Sequence, residues 1–154
     1  MTRSRGPKIL GITALVIIGV LLVAQLVPYG RDHSNPSVTG EPQWNAAATR
    51  ALAQRACFDC HSNQTRWPWY SNVAPVSWLV QADVDEGRRV LNFSEWTRGY
   101  EEAQESGETV RNHEMPPRSY LLLHPEAKLS DAERQQLASG LDATLGPARS
   151  TERE

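Results

Sequence analysis

The only two cysteines of the chain, Cys57 and Cys60, stand three residues apart in the stretch CFDCH and are followed at once by His61, one of four histidines. Residues of these types at this spacing serve four chemistries. A disulfide closing so short a loop removes little chain entropy and stabilises little. A catalytic dithiol calls for a strand before the pair and a βαβ setting, and no such pattern precedes Cys57. Tetrahedral zinc needs a fourth ligand, and the sequence holds no second Cys-x-x-Cys. The fourth chemistry is covalent attachment of a c-type haem, for which C-x-x-C-H is the signature. On a helical turn Cys57, Cys60 and His61 stand at i, i+3 and i+4 and project from one face. The two sulfurs can then form thioethers with the haem vinyl groups while His61 rises to the iron as proximal axial ligand. One covalent haem c is the expected cofactor.

The sixth position on the iron decides what such a haem does. Apart from the initiator the chain has one methionine, Met115, in the proline-stiffened stretch EMPP. A thioether on iron raises the potential and closes the site to substrates, which suits electron transfer. The plainer reading of Met115 is a flexible filler of the core, but a soft sulfur in a polar loop favours the distal axial ligand. His113 and His124 are the rival ligands, and for each an exposed loop histidine is the blander reading. His33 is expected to face solvent.

Helices must position these residues. Residues 44–60 are Ala-rich, and residues 74–91 place Val76, Leu79, Val80 and Val84 at helical spacing. Asn92 with Glu95, and Ser130 with Glu133, have the form of capping boxes. The first is expected to open a polar helix to about residue 106. The second opens a C-terminal helix bearing Leu137 and Leu141, which Gly146 and Pro147 can end. Between them Pro116 and Pro117 predict an extended loop over residues 112–128. All five tryptophans fall between residues 44 and 96 and large aliphatics are few, so the core is thin and a large apolar cofactor would help to close it.

Residues 9–27 carry no charge, and as a helix they would be roughly 28 Å long, close to the hydrocarbon thickness of a bilayer. Arg3, Arg5 and Lys8 precede them without an acid, which orients the N-terminus to the cytoplasm and exports the rest. A cleaved signal peptide competes, but its apolar core is usually shorter and ends in a small-x-small site. Beyond residue 27 lie 13 basic and all 18 acidic residues, a net −5 with no basic run, which argues against nucleic acid. Residues 30–43, rich in Gly, Pro, Ser and Asn, read as a linker.

The stretches CFDCHSNQTRWPWYSNVAPVSWLVQADVDEGRRVLNFSEW and EMPPRSYLLLHPEAKLSDAE resemble the small bacterial haem-binding domain proteins of the cytochrome c type, which one N-terminal helix often holds to the membrane. The resemblance covers about residues 44–145 and implies a compact helical fold with covalent haem. Trp67, Trp69, Tyr70 and Trp78 are then expected to line the haem edge, Arg66, Arg88 or Arg89 to balance its propionates, and a carbonyl from residues 67–75 to receive the free N–H of His61.

The expected fold is all-α: a cytochrome c-like helical domain around a covalent haem, preceded by one N-terminal transmembrane helix. The expected division is a cytoplasmic basic segment (1–8), a transmembrane anchor (9–28), a linker (29–43), the haem-binding domain (44–146) and a disordered tail (147–154). The expected function is single-electron transfer on the periplasmic side of the cytoplasmic membrane, between membrane or extracytoplasmic redox proteins. The reading is of a carrier more than an enzyme. The alternatives are a peroxidase-like enzyme using His113 or Glu114, and a sensor whose Met115 ligand exchanges.

Overall fold

The structure, a computed structural model, describes residues 6–146. Among the described residues the chain is helical throughout its regular structure, with seven α-helices, four short 3-10 turns, and one isolated bridge between Gly40 and Glu95. The all-α expectation holds. The first five residues of the expected basic segment, and the expected tail 147–154 with Pro147, lie outside the described residues.

The described chain forms two compact units. In the first, which runs to His33 and takes in Trp67–Ala82, helix α1 (Gly6–Ala24) exposes its aliphatic side chains on every side. The expected anchor of residues 9–28 is helical over most of its length. The helix stops at Ala24, and among the described residues no helix is long and apolar enough to cross a membrane. Gln25 clasps the second segment of the unit with both ends of its amide. Its Nε2 donates to the Ala74 carbonyl at 2.8 Å and its Oε1 accepts the Ala74 N–H at 3.1 Å. Gly30, at φ +78°, lies against the Ser77 carbonyl so closely that a Cβ would collide with it. His33 is not free in solvent as expected. It is half-buried, stacks on Trp67 with centroids 4.7 Å apart, and pairs with Ser71 through a ring nitrogen.

The second unit joins Ser34–Arg66 to the chain from Asp83 onward. The helix expected over residues 44–60 is broken in two. α2 (Ala47–Ala56) ends and α3 (Phe58–His61) begins at Cys57, whose φ of −125° is not helical. α4 (Val76–Val90) matches its expected range closely and supplies this unit with its last two turns. α5 (Ser106–Arg111), α6 (Arg118–Leu121) and α7 (Asp131–Leu145) complete it. Phe58 and Phe93 stack with centroids 5.5 Å apart beneath Trp44, and Leu137 and Leu141 of α7 close on them. Each such fully buried side chain stabilises the fold by about 1.5–3 kcal/mol.

The capping box at Ser130 and Glu133 forms in both directions. The one expected at Asn92 does not. The Asn92 carboxamide is committed to the Asn63 side chain and the Ser94 N–H, and Glu95 turns to the Asn63 amide at 3.0 Å. Gly99, at φ +72°, then divides residues 92–106 into 3-10 turns. Residues 112–128 are extended only around the two prolines and then coil into α6 and a turn at Pro125–Ala127. Within the expected linker, Asn35 donates to the Thr65 carbonyl and the Thr39 N–H to the Ser94 carbonyl, each at 2.9 Å.

Gly140, in the middle of α7, faces Thr49 of α2 at a distance no Cβ could enter, since one built there would meet the Thr49 hydroxyl, methyl and Cβ. Overpacking of this kind costs about 1–3 kcal/mol. Gly140→Ala should lower the unfolding free energy by that amount, read as a lower urea midpoint, although alanine is the better helix former. Thr49→Ala in the same chain should recover part of the loss, and a G140A variant as stable as the wild type would contradict the close crossing.

Candidate functional site

Inside the second unit is a cavity of about 460 Å³, within the range usual for small-molecule and cofactor sites. Cys57, Cys60 and His61 lie on its wall, and so does Met115, from the loop between α5 and α6. Val90, Leu91, Phe93, Val110 and Leu141 supply its apolar lining. The fold therefore gathers all four expected site residues around one space.

The first three are placed by a single tight turn, in which the His61 N–H bonds to the Cys57 carbonyl at 2.9 Å. Cys57 and Cys60 are unpaired thiols. Burial pushes both up to about 12, aided at Cys57 by Cys60 and at Cys60 by Asp83 and Asp59. They are protonated at neutral pH, the opposite of what a thiol-exchange couple needs. Among the described residues no group of three or more His, Cys, Asp or Glu could hold a bare metal ion, so zinc also loses support.

His61 Nδ1 lies 3.0 Å from the Gly87 carbonyl and 3.1 Å from that of Leu91. Both oxygens can only accept, so Nδ1 carries the proton and Nε2 keeps its lone pair. Burial depresses the His61 pKa against the opposing pull of these two bonds, which keeps the ring neutral. The acceptors come from the end of α4 and not from residues 67–75 as expected. Glycine is required at 87 because a Cβ there would sit 2.6 Å from the Cys60 carbonyl oxygen and 2.9 Å from Cys60 Cβ. Absence of a side chain lets the α4 backbone come within hydrogen-bond reach of His61.

Across the cavity, the Glu114 N–H bonds to the Thr109 carbonyl at 3.0 Å, and buried Arg134 donates to the carbonyls of Val110 at 2.9 Å and Met115 at 3.2 Å. These bonds fix the backbone on both sides of the Met115 thioether. The Met115 side of the site stays open, since Met115 is 37% exposed. The rival ligands are elsewhere. His113 takes a left-handed turn at φ +61° after α5 and is exposed, and His124 stacks on Tyr120 at 3.9 Å with Nδ1 bonded to its carbonyl. Neither of them, nor Glu114, contributes to the wall.

The expected aromatic wall is also corrected. Trp67, Trp69, Tyr70 and Trp78 are not among the lining residues, whose aromatic members are Phe93, Tyr120 and His61. The three arginines expected to meet propionates are engaged otherwise. Arg66 grips Asp59, Arg89 pairs with exposed Glu86, and Arg88 donates to Ser62, Ser34, Asn35 and Thr65. Asp59 and Tyr120 were not singled out by the sequence. The Tyr120 hydroxyl donates to Asp59 Oδ2 at 2.7 Å, and with Arg66 it outweighs burial to hold Asp59 below the usual carboxylate range. The position of Asp59 inside CFDCH was the one available signal.

A neutral imidazole with Nε2 unengaged, a thioether and two thiols around an apolar space suit a porphyrin iron better than a hydrated ion. Comparison with protein families gives a match to a haem-binding domain over residues 19–143. Comparison with curated proteins and with solved structures gives no match.

The buried neutral His61 sets a pH dependence in the cofactor-free protein. Its folded pKa lies below the unfolded value of about 6.5, so the unfolded chain binds more protons as pH falls below that value. Stability should be full above about pH 6.5 and decline below it, by no more than about 1.4 kcal/mol per pH unit. Asp59 adds a loss in the same direction at lower pH. Urea midpoints of wild type and His61→Asn measured across this window should diverge at neutral pH and converge toward acid. A wild-type midpoint that does not fall would contradict the neutral ring.

Proposed function

Because the chain belongs to the haem-binding domain family, we propose that it is a membrane-attached c-type cytochrome. It holds one haem covalently on Cys57 and Cys60, with His61 and Met115 as axial ligands, and passes single electrons between membrane or extracytoplasmic redox proteins. The observation that carries this reading is the meeting of these four residues on one cavity wall, with His61 Nδ1 already committed to backbone. When bound, the haem supplies a reversible one-electron iron couple.

The protein's own contribution is placement. Cys57, which caps α3, and Cys60 within it would hold a haem through two thioethers, so that it could not dissociate. The Gly87 and Leu91 carbonyls orient the imidazole and raise its basicity. Arg134 and Thr109 fix the loop that would offer the Met115 sulfur to a bound haem iron. Val90, Leu91, Phe93, Val110 and Leu141 would give a bound haem an apolar contact surface. A peroxidase-like reading that uses His113 or Glu114 loses support because neither lines the cavity, although Glu102 and Glu105 do. The sensor reading retains one supporting observation, the partial exposure of Met115.

Attachment is assigned to α1, whose aliphatic residues are exposed around the whole helix. Arg3, Arg5 and Lys8, which precede the uncharged residues 9–27, favour a cytoplasmic N-terminus and a haem domain on the periplasmic side.

The test is spectroscopic, on protein from a cell able to attach haem. Wild type should show the ferric absorption band of sulfur on iron and resist carbon monoxide when reduced. Met115→Ala should lose the band, bind carbon monoxide readily, and fall in potential. Cys57→Ala should release part or all of its haem on denaturation, where wild type keeps it. A wild type without the band that takes up carbon monoxide freely would favour the sensor.

A further inference from the structure

The first unit contains a second apolar surface besides α1. Residues 67–82 hold none of the 16 basic and 18 acidic residues of the chain, and neither do residues 9–30. At the overall charged fraction of 22%, about eight charges would fall in these segments by chance. Three of the five tryptophans and two of the four tyrosines are in these same segments, as Trp67, Trp69, Trp78, Tyr29 and Tyr70. Trp67, Trp69, Tyr70 and Trp78, expected beside the cofactor, do not line the cavity.

Several of these side chains are turned outward. Trp69 is 79% exposed and Leu79 65%, and Val73 and Val76 between them are also exposed. Isolated exposed aliphatics need no explanation, but an uncharged run that bares an indole and three aliphatics within eleven residues does. The Gln25 amide clasps Ala74, and Gly30 packs on Ser77, so this run is tied to the residues that follow α1. Leu26, Val27 and Tyr29 in that connection are exposed as well. The apolar surface thus continues from α1 through its C-terminal turn to the start of α4.

We propose that residues 69–79 are a membrane-binding surface which lies in the headgroup region of a phospholipid bilayer beside the end of α1. Bilayer is favoured over a protein partner by chemistry. Indole and phenol rings concentrate at the membrane interface, where one end is apolar and the other wet. Charged side chains are excluded from it by the cost of leaving water, and none is present. Among the described residues no helix is long and apolar enough to cross a membrane, and an interfacial surface at the end of α1 adds to the apolar area available for attachment. This inference rests on the reading of α1 as a membrane attachment.

Hydroxyl-radical footprinting of the full haem-loaded chain in phosphatidylcholine vesicles tests it, with flotation of the same sample as the control for α1. Leu122 of the second unit, 83% exposed, is the reference. After correction for intrinsic reactivity, Trp69 and Leu79 should be oxidised about fivefold more slowly than Leu122, or slower still, as expected for groups at the interface. Flotation with Trp69 and Leu79 oxidised as fast as Leu122 would overturn the surface and leave α1 standing. Failure to float would remove both. Protection accompanied by a covalent dimer on cross-linking through residues 69–79 would also overturn it, by assigning the surface to a second copy.

Discussion

One shared proton organises the site: the Nδ1–H of His61, held between the carbonyls of Gly87 and Leu91 at the end of α4. That bond selects the tautomer, commits one ring nitrogen to backbone and leaves the other for a metal. It also dictates packing. Gly87 O already accepts the Leu91 N–H within the helix at 2.9 Å, so the imidazole must come to a helix end whose acceptors are partly used, and the backbones must nearly touch. Only a residue without Cβ at 87 permits it. The Phe93 N–H, bonded to the His61 carbonyl at 2.8 Å, fixes the same residue from behind. Histidine is thereby gripped at ring and backbone by neighbouring parts of one segment.

Much of the site was legible in the sequence because its logic is local. The i, i+3, i+4 spacing of Cys57, Cys60 and His61 puts three side chains on one face of a turn wherever that turn is placed. The capping box at Ser130 is equally local and forms as expected. Met115 was legible for a different reason, the scarcity of soft ligands. What depended on distant partners was not legible. The box at Asn92 has the right residue types, but Asn63 and Ser94 offer its carboxamide a buried network instead. The acceptor for His61 comes from α4, and no pattern in residues 83–91 announces that two of their carbonyls face a ring.

The tryptophans show the same limit in another form. Aromatic residues close in sequence to a haem-attachment stretch invite the inference that they surround the cofactor, yet nearness along the chain carries no such guarantee. Trp67 is taken up by His33, and Trp69 stands in the open. The cavity draws its apolar surface from residues spread from Ala56 to Leu141, few of them conspicuous individually. A wall assembled from single aliphatic side chains on many segments leaves no compact signal in a sequence.

Arg88 has a guanidinium whose four direct acceptors are all neutral: the carbonyls of Ser62 and Ser34, the Asn35 side-chain oxygen and the Thr65 hydroxyl. Burial lowers its pKa without discharging it. Dissolved electrolyte weakens pairs of opposite ions, such as the exposed Arg89 and Glu86, by screening their attraction. A cation held by fixed dipoles at contact distance offers that screening little to act on. Although Asp85 and Glu95 also attract Arg88, the clamp that binds residues 34–35 to the turn carrying Cys57, Cys60 and His61 is therefore built to lose less in brine than a bare surface ion pair does.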